Sequence, residues 1–298
     1  MRALLAVGLV VAGLTACAAD ADDRPVVVVS TNILGDVVEQ VAGDEAEVVT
    51  LMKPDADPHS FEVSAREAGR MRGADLLVSN GLGLEEGLQQ HLDAAADEGV
   101  TTFVAGDVVD VLDYADGDAA GTPDPHFWTD PARMVDVVEG LEAALLGIDG
   151  VDAEAVREQA GAYLEQVRAV DDELTAAFAA IPDEQRALVT NHHVFGYLAE
   201  RYDFEVVGAV VPGGTTLAAP SASDLASLAE AIRETGVRAV FAESSSRDRL
   251  VQALAEESGL EVDVLELYTE SLTAPGGGAE DYLTMMRVNA ERIATGLS

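Results

Sequence analysis

Hydrophobic residues along this chain form two alternating patterns. Short apolar runs bounded by proline, glycine or polar residues, such as PVVVVS at 25–30, are typical of buried parallel strands. Between them lie segments with apolar residues three and four positions apart, which predict amphipathic helices. The predicted strands are 25–30, 47–52, 75–79, 101–105, 186–190, 205–211, 238–242 and 262–267, and the predicted helices are 32–41, 61–72, 84–96, 131–146, 194–202, 249–257 and 280–294, with another opening at Ser221. This alternation predicts an α/β fold with parallel sheets.

The segment 152–181 predicts a longer helix than any other. Its apolar residues keep the three- and four-residue spacing throughout, at Val156, Ala160, Tyr163, Val167, Val170, Leu174, Phe178 and Ile181. At 1.5 Å per residue the helix would extend about 45 Å, and Pro182 would end it. We therefore predict a rigid linker helix rather than a flexible hinge.

The length of 298 residues favours two lobes over one. We predict an N-terminal α/β lobe at 25–150, the linker helix at 151–182 and a C-terminal α/β lobe at 183–298. Proteins of this class bind ligands in a crevice at the carboxyl ends of the strands. We therefore expect a ligand site between the lobes.

The charge of the chain limits its partners. It has 55 Asp and Glu against 17 Lys and Arg, a net charge of −38. Nucleic acid is excluded as a partner, because binding it requires a basic surface that displaces counterions. Such acidity keeps a protein soluble and attracts cations, but it does not identify a particular cation.

The first residues resemble a bacterial lipoprotein leader. An apolar stretch at 3–14 is too short to span a bilayer, and Leu14-Thr15-Ala16 precedes Cys17, the only cysteine. We predict a lipoprotein signal peptide at 1–16, a tether at 17–24 and a lipid anchor to the extracytoplasmic face of the cell membrane at Cys17. The alternative is an ordinary secretory signal with an incidental cysteine. A single cysteine also means that any metal site must use nitrogen and oxygen ligands.

Three of the five histidines lie in polar, turn-rich segments far apart in the sequence, at His59, His126 and His192. Two of them sit in the same Asp-Pro-His pattern, and Trp128, the only tryptophan, follows His126 closely. Three neutral imidazoles brought together favour a borderline metal such as Zn²⁺. The neighbouring His193 points in a different direction, so we expect only one of the pair to coordinate.

A fourth ligand would be a carboxylate or water. Glu270, in the loop after the last predicted strand, is the leading candidate, and Glu266 and Glu243 are the alternatives. The chain has no His-Glu-x-x-His helix, no Gly-x-Ser-x-Gly elbow and no P-loop. We therefore predict a binding protein rather than an enzyme.

Several motifs, taken together in this order, resemble the cluster A-I (cluster 9) substrate-binding proteins of ABC importers for zinc and manganese. The matching segments are 57–62 (DPHSFE), 79–85 (SNGLGLE), 124–131 (DPHFWTDP), 192–198 (HHVFGYL) and 282–289 (YLTMMRVN). The resemblance covers essentially the whole mature chain. It implies two α/β lobes joined by a rigid helix and an ABC permease as the partner of a monomeric receptor.

The resemblance also implies the ligand set. It places metal ligands at His59, His126 and His192, and a fourth at Glu270, where relatives usually have aspartate. His193 occupies a position where relatives often have an acid. Because manganese-selective members tend to carry a carboxylate as the third ligand, a histidine there resembles the zinc branch. The loop 113–124 is short and has no histidine, which resembles the AztC-like zinc-binding lipoproteins and implies delivery of zinc by a separate metallochaperone.

Three other functions fit parts of the sequence. A manganese or iron receptor of the same family is the nearest. A zinc-dependent hydrolase would need an open coordination position and a general base. An adhesin is the third, since surface lipoproteins of this family are sometimes assigned that role.

Overall fold

A computed structural model describes residues 24–115, 119–211, 215–217, 222–244 and 263–298. The predicted signal peptide at 1–16, most of the tether with Cys17, the start of the helix at Ser221 and the predicted helix 249–257 lie outside the described residues. Within the described part of the chain, no helix combines the length and the apolar character needed to cross a membrane.

The N-terminal lobe, or N lobe, contains a parallel sheet with the strand order β2-β1-β3-β4. Its strands are β1 (Val26–Val29), β2 (Glu47–Thr50), β3 (Leu76–Ser79) and β4 (Thr102–Val104). The two central strands, with the sequences VVVV and LLVS, are almost entirely buried. Continuous apolar runs fit this environment because helices cover both faces of the sheet.

The helices of the N lobe are α1 (Asn32–Ala42), α2 (Ala65–Arg72), α3 (Gln89–Asp97) and α4 (Pro131–Leu145). Helices α2 and α3 begin later than the periodicity predicts, at 65 and 89 rather than 61 and 84. For α2 the reason is a capping box, in which the Ser64 hydroxyl accepts from the Glu67 N–H while the Glu67 carboxylate accepts from the Ser64 N–H. This cap satisfies the first free amides and fixes where the helix starts.

The linker helix α5 (Ala153–Ala179) has 27 residues and is therefore roughly 40 Å long. The Asp152 carboxylate caps its first turn. One face packs against α1 and α4 of the N lobe and against the C-terminal helix of the other lobe. Every apolar position that the periodicity singles out is buried, although the last of them, Ile181, lies just past the end of the helix.

The C-terminal lobe, or C lobe, repeats the topology of the first, with parallel strands in the order β6-β5-β7-β8. Its described elements are β5 (Ala187–His192), α6 (Gly196–Tyr202), β6 (Glu205–Val211), α7 (Ala222–Thr235), β7 (Ala239–Glu243), β8 (Asp263–Leu267) and α8 (Tyr282–Leu297). The prediction of two α/β lobes with parallel sheets and a long linker helix is confirmed.

One apolar core continues through both lobes. It includes Val29 and Leu34 of the N lobe, Val170 of α5, and Phe241 and Leu267 of the C lobe. Because interiors pack at high density, two lobes that share a core cannot separate widely without exposing it. The fold therefore holds the carboxyl ends of the two sheets in a fixed relation.

Candidate metal centre

Four side chains meet between the lobes. Oε1 of Glu270 lies 2.9 Å from Nε2 of His59, 3.3 Å from Nε2 of His126 and 3.2 Å from Nε2 of His192. One ligand-type atom from each residue lies within 4.8 Å of every other. The four residues are at most 1% exposed. Three imidazole nitrogens and one carboxylate oxygen thus point into a single enclosed space.

Each residue lies at the carboxyl end of a strand or on the segment that follows it. His192 is the last residue of β5, which continues two residues past the predicted end at 190. Glu270 follows β8 by three residues. His59 and His126 lie on the longer segments that follow β2 and β4. Since all strands of a parallel sheet end at one edge, the topology brings distant loops together.

The two Asp-Pro-His segments share one backbone arrangement. The Asp57 carboxylate accepts a hydrogen bond from the His59 N–H at 2.8 Å, and the Asp124 carboxylate accepts one from the His126 N–H at 2.9 Å. An aspartate that bonds the amide two residues ahead forms a local turn. The repeated motif therefore fixes how each histidine leaves the backbone.

Two of the imidazoles are also held on their outward side. Nδ1 of His126 lies 2.7 Å from Oδ1 of Asp124, and Nδ1 of His192 lies against a carboxylate oxygen of Glu243. A carboxylate partner at Nδ1 favours the tautomer in which Nε2 carries a lone pair. Nδ1 of His59 has no hydrogen-bond partner among the described residues.

The buried charges balance one another. Burial alone lowers the pKa of His192, but the carboxylates of Glu243 and Glu270 outweigh it and raise that pKa well above its ordinary value. Burial likewise lowers the pKa of His126, and Asp124 beside it reverses the direction. Burial raises the pKa of Glu270, yet the charge of His192 and the imidazole hydrogen bonds hold it well below its usual range. Glu270 is therefore held as a carboxylate, in a space where the surrounding groups stabilise positive charge.

Aromatic residues close the centre on the side of His126. The Trp128 ring centroid lies 5.2 Å from that of His126, and Trp128 Nε1 donates to the Thr269 carbonyl at 2.8 Å. The Tyr114 hydroxyl lies 3.2 Å from Nδ1 of His126. These contacts keep water away from the imidazole and connect its loop to the loop of Glu270.

The other candidate ligands lie elsewhere. Glu266 is exposed on β8 and pairs with Arg292 at 3.7 Å. Glu243 contacts the outer nitrogen of His192 and is not part of the four-residue cluster. His193 also lies outside the cluster, with its ring 6.4 Å from that of Tyr114. Of the acids weighed from the sequence, the structure brings only Glu270 to the three histidines.

Sequence reasoning missed the roles of two residues near the centre. Asp124 was visible in the Asp-Pro-His repeat, which signals a turn but not a hydrogen bond to the following imidazole. Asn32, at the start of α1, contacts the segment next to Glu270 through its amide. No pattern in the chain marks Asn32, because its partners in this segment, Ser271 and Leu272, are about 240 positions away.

Comparison with known proteins identifies the family. The family model of the zinc-uptake complex component A, periplasmic (ZnuA), matches residues 27–296. The chain therefore belongs to this family.

Individual relatives extend over most of the chain. It is 29% identical over 270 residues to the iron-binding protein YfeA of Yersinia pestis, covering 91% of this chain and 85% of that protein. It is 29% identical over 272 residues to the manganese-binding lipoprotein MntA of Halalkalibacterium halodurans, covering 91% and 88%. The periplasmic zinc binding protein TroA from Treponema pallidum superposes with a TM-score of 0.84 at 25% identity, covering 92% and 99%. These three relatives are named for three different metals.

Proposed function

We propose that this protein is a zinc receptor of an ABC importer, with His59, His126, His192 and Glu270 as the ligands. The observation that carries the proposal is the cluster of three inward Nε2 atoms around one carboxylate oxygen in a buried space. Ligand atoms around a tetrahedral ion at about 2.0–2.1 Å lie roughly 3.3–3.4 Å apart. The contacts of Glu270 with the imidazoles, 2.9–3.3 Å, and the 3.4 Å between Nε2 of His59 and Nε2 of His126 are close to that spacing.

The donor set supports zinc over manganese. Manganese prefers oxygen ligands, whereas imidazole suits zinc. Here three of the four donors are imidazole nitrogens. Because relatives are named for iron, manganese and zinc, the choice of metal is argued from this chain's own residues.

The same proposal covers the surroundings of the receptor. A leader at 1–16 is removed, Cys17 is lipidated, and the tether 17–24 holds the N lobe (25–150), linker (151–182) and C lobe (183–298) outside the cytoplasm. The receptor is a monomer that passes Zn²⁺ to an ABC permease and, like the AztC-like subgroup, takes it from a metallochaperone. Relatives named as lipoproteins of ABC transporters support the anchor and the permease.

Metal binding by the purified protein tests this function. The wild-type chain is expected to bind one equivalent of Zn²⁺, measured by elemental analysis and by competition with a coloured chelator. His59→Ala, His126→Ala and His192→Ala should each weaken Zn²⁺ binding by at least about tenfold, because each removes a ligand. His91→Ala, which changes a histidine of α3 outside the cluster, is the matched control and should bind normally.

Competition between metals tests the choice of zinc. Mn²⁺ at a concentration equal to that of Zn²⁺ should not displace Zn²⁺ from the protein, in line with the general affinity order of divalent metals and the nitrogen-rich donors. Displacement at equal concentration would sink the zinc assignment while leaving the receptor class intact.

A further inference from the structure

Two asparagine side chains hold the segment that carries Glu270. Asn289 of α8 accepts from the Tyr268 N–H at 2.9 Å and donates to the Tyr268 carbonyl at 2.6 Å. Asn32 of α1 makes the same pair of bonds at Leu272, accepting from its N–H at 3.0 Å and donating to its carbonyl at 3.2 Å. Glu270 lies midway between the two pairs, one from its own lobe and one from the opposite lobe.

Asn32 also joins this segment to the loop that leads to His59. Its Nδ2 donates to Oγ of Ser271 at 2.8 Å and lies 3.3 Å from the carbonyl of Lys53. The side chain is buried, at 8% exposure. A buried amide with these partners is costly to replace, because its removal leaves backbone groups without hydrogen bonds.

Other groups of the N lobe hold the same segment. The Trp128 indole N–H donates to the Thr269 carbonyl at 2.8 Å, and the Asp55 N–H donates to the Leu272 carbonyl at 3.0 Å. The outward nitrogen of His192, in contrast, faces Glu243 of its own lobe. Although Glu270 belongs to the C lobe by sequence, its segment is attached to both lobes, and on the C-lobe side the Thr269 hydroxyl also donates to Glu243 at 3.3 Å.

We propose that Asn32 is a positioning residue for metal binding, which fixes Glu270 to the N lobe. Glu270 is then held in place relative to His59 and His126, although it follows a strand of the C lobe. This inference rests on the proposed metal-binding function and assigns a role to a residue that does not touch the metal.

A double-mutant cycle in the full chain tests the assignment. Asn32→Ala should weaken Zn²⁺ affinity about 10–100-fold, the range typical of residues that orient metal ligands. In the Glu270→Ala background the same substitution should change the affinity by less than about twofold, because its effect passes through Glu270. A merely structural role would instead reduce the affinity equally in both backgrounds, and that result would overturn the proposal.

Amide hydrogen exchange of the metal-free protein gives a second readout. Asn32→Ala should speed exchange at residues 268–273 and leave the strands of the N lobe protected, whereas unchanged exchange there overturns the proposal. Asn32→Asp keeps the acceptor and the shape of the side chain, and it replaces the alanine variant in both measurements if that variant does not fold. Failure of the wild-type chain to bind Zn²⁺ would defeat the proposed function, whereas normal binding by Asn32→Ala would defeat this inference alone.

Discussion

At the scale of single residues, the candidate centre depends on groups that hold the imidazoles as much as on the imidazoles themselves. Asp124 and Glu243 each face the Nδ1 atom of a clustered histidine. An imidazole fixed at Nδ1 presents Nε2 in one direction, so that less freedom is lost when a metal binds. The acidic partners therefore belong to the site although they are not in the ligand cluster.

Glu243 gives a prediction at this scale. Glu243→Gln removes the negative charge beside His192 while keeping the shape of the side chain. Zn²⁺ affinity should fall about 10–100-fold, because a less polarised imidazole is a weaker ligand. Titration against a chelator measures the change. Glu266→Gln, at an exposed acid on the neighbouring strand β8, should leave the affinity unchanged, and an equal loss there would contradict the local explanation.

At the scale of elements, α1 and α8 meet across the two lobes at a partly buried acid, Asp36. The Asp36 carboxylate of α1 accepts a hydrogen bond from the Tyr282 N–H, at the first turn of α8, at 2.9 Å. Burial raises the pKa of Asp36 to about 6 from 3.8; the hydrogen bond from Tyr282 opposes this shift, and the charge of Asp281 adds to it. The contact between the two helices therefore contains a carboxylate whose ionised form lowers the free energy of unfolding.

This raised pKa predicts a pH dependence of stability. The folded protein binds the Asp36 proton more tightly than the unfolded chain does. The resulting loss of folding stability is therefore absent below about pH 4, grows between about pH 4 and 6, and is complete above about pH 6. Asn can still accept the Tyr282 N–H. Asp36→Asn should thus raise the free energy of unfolding by about 1–3 kcal/mol at pH 8, an advantage that disappears near pH 4.

Urea denaturation at several pH values measures this difference. Asp136→Asn, at an exposed acid of α4, is the matched control and should show little change at any pH. An Asp36→Asn protein that is no more stable than the wild type at pH 8 would refute the interpretation.

At the scale of the whole molecule, the continuous core and α5 restrict how the lobes move. The centre is enclosed, so a metal can enter only if some part of the protein shifts. Because α5 packs against helices of both lobes, we expect small sliding movements and loop displacements rather than wide closure.

Distances between spin labels test this expectation. With Cys17 replaced by serine, labels at Glu98 in the N lobe and Glu205 in the C lobe, both exposed, report the separation of the lobes. Addition of Zn²⁺ should change their mean distance by no more than about 1–2 Å, the size of packed-helix shifts. A change of many ångströms would show that the linker bends.

Local patterns in the sequence were sufficient for most of the architecture. The valine run of β1 and the spacing along α5 reflect burial of each element on its own, and periodicity reports burial directly. The start of α2 could not be predicted from the apolar pattern, which begins at Phe61, because the side chain of Ser64 caps the helix and places its first turn at Ala65. The Asp-Pro-His repeat indicated two histidines in similar turns, since those turns form within three residues.

Only the tertiary structure decided which residues meet. His59 and Glu270 are 211 positions apart. The sequence favoured Glu270, which lies past the last strand and at the family's ligand position, but it left Glu243 and Glu266 open. That choice depends on how β7 and β8 align in the sheet and on how the N lobe, through Asn32, holds the segment after β8. The sequence determined the elements because their burial is local, whereas the site depends on contacts that exist only once two lobes have packed together.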